Sequence, residues 1–463
     1  MADQLSIDQA MQVAVKHHLA GRLSEAEAIY NNILSVKPNY PYAIHNLAEI
    51  GIRVRQYPRA LVLARRAMEL DPDDAAFNNT LGAILFALGQ PEESLKYINR
   101  ALEINPKLAN AYVNLGIAYA DQARLPESIS AFEQAIKLDP QNANGHDGLG
   151  LSSLMHGDLQ RGWREQEWRW HKYNFEKRRY SDCPQWDGAD LKNRTIFLPM
   201  EQGHGDLIHF CRYAPLLTQR GAKVVLEVTP EQVALMKTLK GVEALVPVGE
   251  TPPPFDVACP MMSVPLWYGT TMETIPAEIP YLSHNAAIAA EWEPFFRTDR
   301  NYKIGIAWAG RPTHANDHNR STSLAAFAPL ADIPGTTFYS LQKGDPAAQI
   351  ARPPKGMNLI HLGPRLDSFE VTGAVLQHLD LLISIDTSVV HLAGALGRPV
   401  WNLLAFCPDW RWLLNRSDTP WYPTMRLFRC PSRGDWTGLF ANVREALAEE
   451  VARKRPRAGI ARN

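Results

Sequence analysis

The chain has 463 residues, and its 48 Lys and Arg stand against 49 Asp and Glu for a formal net charge of −1. That length accommodates two or three domains with substantial cores. The balanced charge supplies no overall field favouring nucleic acid or an anionic membrane. Met1 to Met11 is polar, and no apolar run approaches the roughly 18 residues that a spanning helix needs, so neither a signal peptide nor an integral membrane segment is expected. The five cysteines are scattered, without metal-ligand spacing, which fits a reducing, cytoplasmic setting.

The first third is periodic. Pro38, Pro72, Pro106 and Pro140 recur every 34 residues. Twelve positions before them stand the small residues Ala26, Ala60, Ser94 and Ser128, and twenty-four before stand Ala14, Ala48, Gly82 and Gly116. Small residues let paired helices approach closely, while Leu47, Leu81, Leu115 and Leu149 fill the seam between them. Each proline closes the second helix of its unit. These columns resemble the tetratricopeptide repeat, over Gln4 to Trp170. By that resemblance the array is a superhelix whose groove holds an extended peptide or a partner protein; packing or self-association is the plainer alternative. Asn110, Asn114, Asn142 and Asn144 suit either the groove or the turns between helices.

Gly162 to Trp170 is expected to form a last helix with Trp163 and Trp170 on one face. Residues 171–194 lack periodicity and are expected to serve as a linker, with Pro184 and Trp186 docking on the following domain. The basic segments Lys172 to Arg179 and Arg453 to Arg462 are expected to be solvated surface and frayed terminus.

From Thr195 the pattern alternates strands and helices, the mark of a parallel α/β sheet. Thr195 to Met200 predicts a strand, followed by Glu201-Gln-Gly-His-Gly-Asp206 and a helix from Leu207 to Thr218. Gly203 and Gly205 permit a tight turn and close backbone approach, and Asp206 falls at the helix start, as a site carboxylate or an N-cap. Lys223 to Val228 and Phe255 to Cys259 predict strands, with a helix from Glu231 between them. A further unit opens at Tyr302 to Gly310 and continues through a polar loop, Arg311 to Arg320, that contains His314. The strand Thr337 to Leu341 then runs into Gln342-Lys343-Gly344-Asp345, where Lys343 is either a phosphate ligand or a surface lysine. Leu381 to Ile385 predicts a buried strand, Val389 to Leu396 a helix behind the N-cap residues Asp386, Thr387 and Ser388, and Val400 to Leu404 a second strand. A helix N-terminus at a strand end is an anion site, with His391 one turn in; the plainer reading is a capped helix on a sheet. Asp409 to Phe428 is aromatic and basic, and Trp410, Trp412 and Trp421 are expected in the core.

Together these residues resemble a known group of enzymes. Gly205-Asp-Leu-Ile-His209 resembles the N-terminal motif of the family-nine bacterial heptosyltransferases. Asp386-Thr-Ser-Val-Val-His-Leu-Ala-Gly-Ala395 resembles their C-terminal motif, with Ser388 in place of a glycine. The coupling to repeats resembles the protein O-linked N-acetylglucosamine transferases: Gln342 to Asp345 is similar to their nucleotide-binding lysine loop, and Asn316 to Ser321 to their Asn-Asp-Arg-Asn-Arg-Ser run, departing at His318. The implied fold class is α plus α/β, a tetratricopeptide solenoid over 4–170 followed by a GT-B fold of two Rossmann-like halves. The N-terminal half (195–298) is the acceptor side and the C-terminal half (299–448) the nucleotide-sugar side, with a basic tail over 449–463.

The implied activity is inverting transfer of a sugar from a nucleotide-sugar donor to a Ser or Thr hydroxyl of an acceptor protein held in the repeat groove. Flagellin-modifying transferases share this build. The resemblance makes Asp206 the general base and Lys343 with the N–H groups of Thr387 and Ser388 the holders of the departing phosphate. It makes Asp386 a partner of sugar or ribose hydroxyls, and His391, Gly203, Gly205 and Arg320 further donor-binding positions. It implies no metal and no cofactor beyond the nucleotide-sugar co-substrate. The rival readings are a non-catalytic scaffold with a degenerate transferase module, and a transferase acting on a saccharide or lipid-linked acceptor.

Overall fold

The computed structural model describes residues 6–172, 179–313 and 316–454. The repeat expected from Gln4, His314 of the polar loop and most of the two basic segments therefore lie partly or wholly outside the described residues. The chain divides into two compact units, with Leu154–Trp170 grouped with the second rather than with the repeats.

In the first unit, helices pair as hairpins: Ile7–Leu19 with Leu23–Val36, Pro41–Arg53 with Tyr57–Leu70, Ala75–Ala87 with Pro91–Ile104, and Ala109–Asp121 with Leu125–Leu138. Each second helix ends two residues before its repeat proline. The pre-proline residues Lys37, Asp71, Asn105 and Asp139 have left helical geometry, with ψ between 83 and 92°, because a following proline ring disfavours the helical well. The small-residue columns are contact points. A Cβ on Gly82 would stand 2.7 Å from Ile98 Cγ1, and one on Gly116 would stand 2.9 Å from the Phe132 ring. Ser128 is fully buried because its hydroxyl donates to Gly116 O at 2.8 Å. The seam leucines Leu47, Leu81, Leu115 and Leu149 are all buried, each contributing about 1.5–3 kcal/mol by leaving water. Three of the four asparagines are engaged with other asparagines: Asn114 donates to Asn79 Oδ1 at 2.8 Å and Asn142 to Asn110 Oδ1 at 3.1 Å.

The second unit holds two parallel sheets. The first has the order β3-β2-β1-β4, from β1 (Thr195–Leu198), β2 (Lys223–Val228), β3 (Val242–Pro247) and β4 (Val257–Ala258). The second has the order β10-β9-β8-β5-β6-β7, from β5 (Tyr302–Ala307), β6 (Thr336–Ser340), β7 (Leu359–His361), β8 (Leu381–Ile385), β9 (Val400–Leu404) and β10 (Met425–Arg429). Both are doubly wound: the strand order reverses between β1 and β4 in one and between β5 and β8 in the other. Crevices outside the C-terminal strand ends at such reversals are where open α/β sheets hold ligands. The inner strands are largely apolar because both faces are covered, and all five residues of β8 are buried.

Several expected elements change. The helix expected over Leu207 to Thr218 is two helices, His204–Phe210 and Tyr213–Gln219. Pro215 has no N–H to return to Cys211, so the ladder breaks there. The expected helix through Trp170 ends at Gln166 and tightens into a 3-10 turn, Glu167–His171. Trp163 is buried and donates to Thr270 O at 3.1 Å, but Trp170 is only half-buried, and the residue sealed in this turn is Arg169. Its guanidinium forks onto Glu201 at 3.0 and 3.1 Å and also reaches Glu167 and Ser263. At the described ends of the first basic segment Arg179 is exposed, as expected, but both ends are anchored: Lys172 pairs with Asp147 at 2.6 Å and Arg179 with the buried Glu227 at 2.6 Å. Among the described residues no helix is long and apolar enough to cross a membrane.

Candidate functional site

The β1 strand delivers the first part of the site. Ile196, Phe197 and Leu198 are fully buried, and the chain emerges from them into residues 199–203. Gln202, not a glycine, takes the left-handed turn at φ 58°, while Gly203 is ordinary at φ −102°. Asp206 lies in the first turn of the His204–Phe210 helix, where one carboxylate oxygen accepts the Gly203 N–H at 3.0 Å. The other oxygen accepts Arg411 Nη2 at 2.5 Å. Gly205 is needed for close approach: a Cβ there would stand 3.1 Å from His391 Cδ2 and 3.5 Å from Ser388 Cα.

Arg411 comes from the short 3-10 turn Trp410–Trp412 that follows β9. Asp409 caps this turn, accepting from the backbone N–H of Arg411 at 3.0 Å and from its Nη1 at 2.9 Å. Burial works against the guanidinium charge, but Asp409, Asp206 and Asp386 together hold it charged, above the ordinary arginine range. Trp410 lies 4.6 Å from it, face on, adding a cation–π contact.

The β8 strand delivers the second part. Asp386 accepts Trp412 Nε1–H at 2.8 Å, and its other oxygen lies 3.9 Å from His391 Nε2. Burial, and then the charge of Asp409, push its carboxyl up to about 6. Thr387 is the N-cap of the Ser388–Ala395 helix, but among the described residues no side chain caps that helix; the Thr387 hydroxyl donates back to Ile385 O at 3.4 Å. The three successive cap residues therefore yield one N-cap, and Ser388 is the first helical residue. His391 is buried and stacks on Trp412 with ring centroids 5.4 Å apart. Burial, then the charges of Arg411, Arg212 and Arg320, keep it neutral, well below the ordinary imidazole range.

These two parts meet, so Asp206, Gly205, Asp386, Ser388 and His391 form one cluster. Arg320 contributes its field to it, acting on both Asp386 and His391, from the Asp317–Arg320 turn. Gly310 lies against that turn, where a Cβ would strike the Asp317 carboxylate. Lys343 stands apart: it is exposed, its ammonium donates to Leu366 O at 2.5 Å, and among the described residues no hydrogen bond or ion pair joins it to the cluster. The buried neighbour Gln342 fixes its loop by accepting the Trp308 and Ala309 N–H groups and donating to Ala309 O and Lys343 O.

The sequence reading missed Arg411, Tyr422 and Arg212. Tyr422 OH lies 3.0 Å from His391 Nδ1 and 3.1 Å from His209 Nδ1. Arg212 is a buried cation that donates to His209 O, Pro276 O, Trp421 O and Tyr281 OH. The local sequence carries no signal for Arg411, since an arginine between two tryptophans reads equally well as core. Trp410, Trp412 and Trp421 are core residues as expected, yet Trp412 also holds Asp386.

Residues 73–141 match the tetratricopeptide repeat family, so the helical hairpins of the first unit include tetratricopeptide repeats. The chain is also similar to Protein FlbA of Caulobacter vibrioides, at 25% identity over 297 residues, 58% of this chain and 48% of FlbA. It thus spans about half the length of that relative. Among solved structures it is similar to PilW, a widely conserved type IV pilus biogenesis factor, at 23% identity over 36% of this chain and 79% of that one, with a TM-score of 0.33. A thermophilic TPR protein of Thermus thermophilus, TTC0263, matches at 17% identity over 36% of this chain and 92% of that one, also with a TM-score of 0.33.

Proposed function

We propose that the second unit is a GT-B glycosyltransferase that moves a sugar, with inversion and without a metal ion, from a nucleotide-sugar donor to a Ser or Thr hydroxyl of an acceptor protein selected by the repeats. The observation that carries this reading is the meeting of Asp206 with Asp386 and His391 at the carboxyl ends of strands beside two chain reversals, one in each sheet. In this scheme Asp206 takes the proton from the acceptor hydroxyl. The acceptor oxygen bonds to the anomeric carbon as the bond to the donor phosphate breaks, and the nucleotide leaves with the electron pair. General-base assistance of this kind supplies roughly 10²–10⁴ in rate. The uncapped N–H groups of the Ser388–Ala395 helix, with Lys343, receive the departing charge. Asp386 accepts from sugar or ribose hydroxyls. Flagellin is the first acceptor to test.

One observation favours a second reading, a binding scaffold with a vestigial module: both oxygens of Asp206 are already engaged, by Gly203 and Arg411. A carboxylate oxygen has two acceptor positions, so these bonds leave room for a hydroxyl. The test is a thermal-shift panel with UDP, GDP, ADP, CMP and their common sugars, repeated in Lys343→Ala and Asp386→Ala. A ligand at a hundred times its Kd adds about 2.7 kcal/mol to the domain that binds it. Stabilisation by one nucleotide, lost in both variants, supports the transferase; silence across the panel, with and without acceptor, supports the scaffold.

A further inference from the structure

One phenolic hydroxyl, that of Tyr422, stands between two buried imidazoles, each facing it through Nδ1, at 3.0 Å for His391 and 3.1 Å for His209. We propose that Tyr422 and His209 are positioning residues that fix His391 as its Nε2–H tautomer, so that His391 presents a hydrogen-bond donor to a hydroxyl or anionic oxygen of a ligand beside Asp386. The relay stands on geometry alone; the identity of the ligand rests on the transferase reading.

A phenol has one hydrogen to give. Tyr281 does not compete for it strongly: its own hydroxyl accepts from Arg212 at 3.0 Å and donates to Ile208 O at 2.9 Å, and it lies 3.4 Å from Tyr422. Two arrangements remain. In the first, His209 Nδ1–H donates to Tyr422, which donates to His391 Nδ1. His391 then carries its hydrogen on Nε2, 3.9 Å from Asp386 Oδ1, and His209 Nε2 is a bare lone pair. In the second, Tyr422 donates to His209 and accepts from His391 Nδ1–H. His391 Nε2 then turns a lone pair toward a carboxylate. The His209 Nε2–H is sealed away from water with no acceptor among the described residues, for that nitrogen is buried and unpartnered there. Buried donors without acceptors are rare because the lost hydration is not replaced. In the first arrangement His209 Nε2 is left as an unpartnered acceptor rather than an unpartnered donor, the less rare of the two, and His391 turns an N–H rather than a lone pair toward Asp386. A charged form of either ring is opposed by burial and by Arg212 and Arg411 nearby. His209 reaches this place from the His204–Phe210 helix and Tyr422 from the segment before β10, so the relay spans both sheets.

The direct test is a long-range ¹⁵N–¹H spectrum of the full-length, ligand-free protein labelled in its histidines, between about pH 6 and 8, the range in which an ordinary imidazole changes state. His391→Gln and His209→Gln each remove one ring's signals and so assign the two. The expected result is a protonated Nε2 and bare Nδ1 for His391, and the reverse for His209. Protonation at His391 Nδ1, or averaging between tautomers, overturns the proposal. In Tyr422→Phe both rings are expected to average; a His391 that stays fixed there removes Tyr422 from the relay. If that variant does not fold, the wild-type spectrum alone decides. Against the nucleotide that binds among UDP, GDP, ADP and CMP, His391→Ala is expected to lose roughly tenfold in affinity. His391→Gln, whose amide lies near the Nε2 position, is expected to keep most of it; equal loss in both counts against the donor role. Failure of all four to bind wild type counts against the transferase reading and leaves the spectra to judge the relay.

Discussion

Arg411 donates to Asp206 from 205 residues further along the chain, and its other amino group grips Asp409. The candidate base of one sheet is thus tied to the turn that follows β9 of the other. A guanidinium holds two carboxylates in a fixed geometry because its donors form a rigid, divergent fork, whereas an ammonium is a compact point charge on a flexible stem.

Arg411→Ala leaves Asp206 and Asp409 without their shared cation. The expected loss is about 3 kcal/mol, within what removing one member of a buried pair costs, read as a lower urea midpoint. Arg411→Lys is expected to recover only part of it. Full recovery by lysine would mean that charge alone, and not the fork, matters.

Asp206→Asn keeps the shape of the loop and removes the base. Turnover is expected to fall at least about a hundredfold, the low end of general-base assistance, with nucleotide affinity retained. An unchanged rate reassigns the base.

Lys343→Ala is expected to weaken binding of a nucleoside diphosphate by roughly tenfold or more, the scale of one hydrogen bond to a charged group, and to leave the nucleoside alone. Equal losses with both ligands would place Lys343 away from the phosphate.

Asp386 and the two histidines pull stability in opposite directions with pH. The Asp386 carboxyl, raised from 3.8 to about 6, binds its proton more readily folded than unfolded, so its contribution is present in acid and is lost as pH rises through about 6. His391 and His209 are depressed below 6.5, so their contribution is present above that value and is lost as pH falls. In the wild type the two partly cancel between about pH 4 and 6.5. Asp386→Asn removes one side, and its melting temperature is expected to fall more steeply on acidification than that of wild type. A parallel or shallower fall contradicts the burial of Asp386 as a titrating acid.

Gly205→Ala puts a Cβ 3.1 Å from the His391 ring, which must give by a few tenths of an ångström, while Ser388 Cα at 3.5 Å is in ordinary contact. An overpacking cost of about 1–3 kcal/mol is expected, with weaker nucleotide binding. Gly203→Ala meets nothing nearer than Asp206 Oδ2 at 3.4 Å and has an ordinary φ, so it is expected to be tolerated. The reverse ranking would sink the close-approach argument.

The repeats were legible because their cause is local and recurs: each proline and each small residue meets the same neighbour 34 positions on. Strands β2, β8 and β9 were legible to the residue, since four apolar residues within five or six, bounded by turn formers, have few other uses. The strand β7, three residues long, and the half-exposed β3 carried too little pattern to be seen. Asp206, Asp386 and His391 could be picked out because each sits at a strand end or in the first turns of a helix. Arg411 and Tyr422 could not. Their importance arises only when segments some two hundred residues apart come together, and nothing in the local spelling of Trp-Arg-Trp or Trp-Tyr-Pro distinguishes a site from a core.

The sealed guanidinium of Arg169 bears on how the chain can be divided. Glu201 opens the loop that leads to Asp206, and it is buried with Arg169 as the partner of both its oxygens. A fragment begun at 171 or 195, where the sequence pattern alone would place the cut, would carry a buried carboxylate stripped of its counterion, and the distortion would begin five residues from Asp206. A fragment begun at Leu154 keeps the pair. Loss of function in the shorter fragment would therefore say nothing about the repeats, and only the longer one can ask what the repeats contribute.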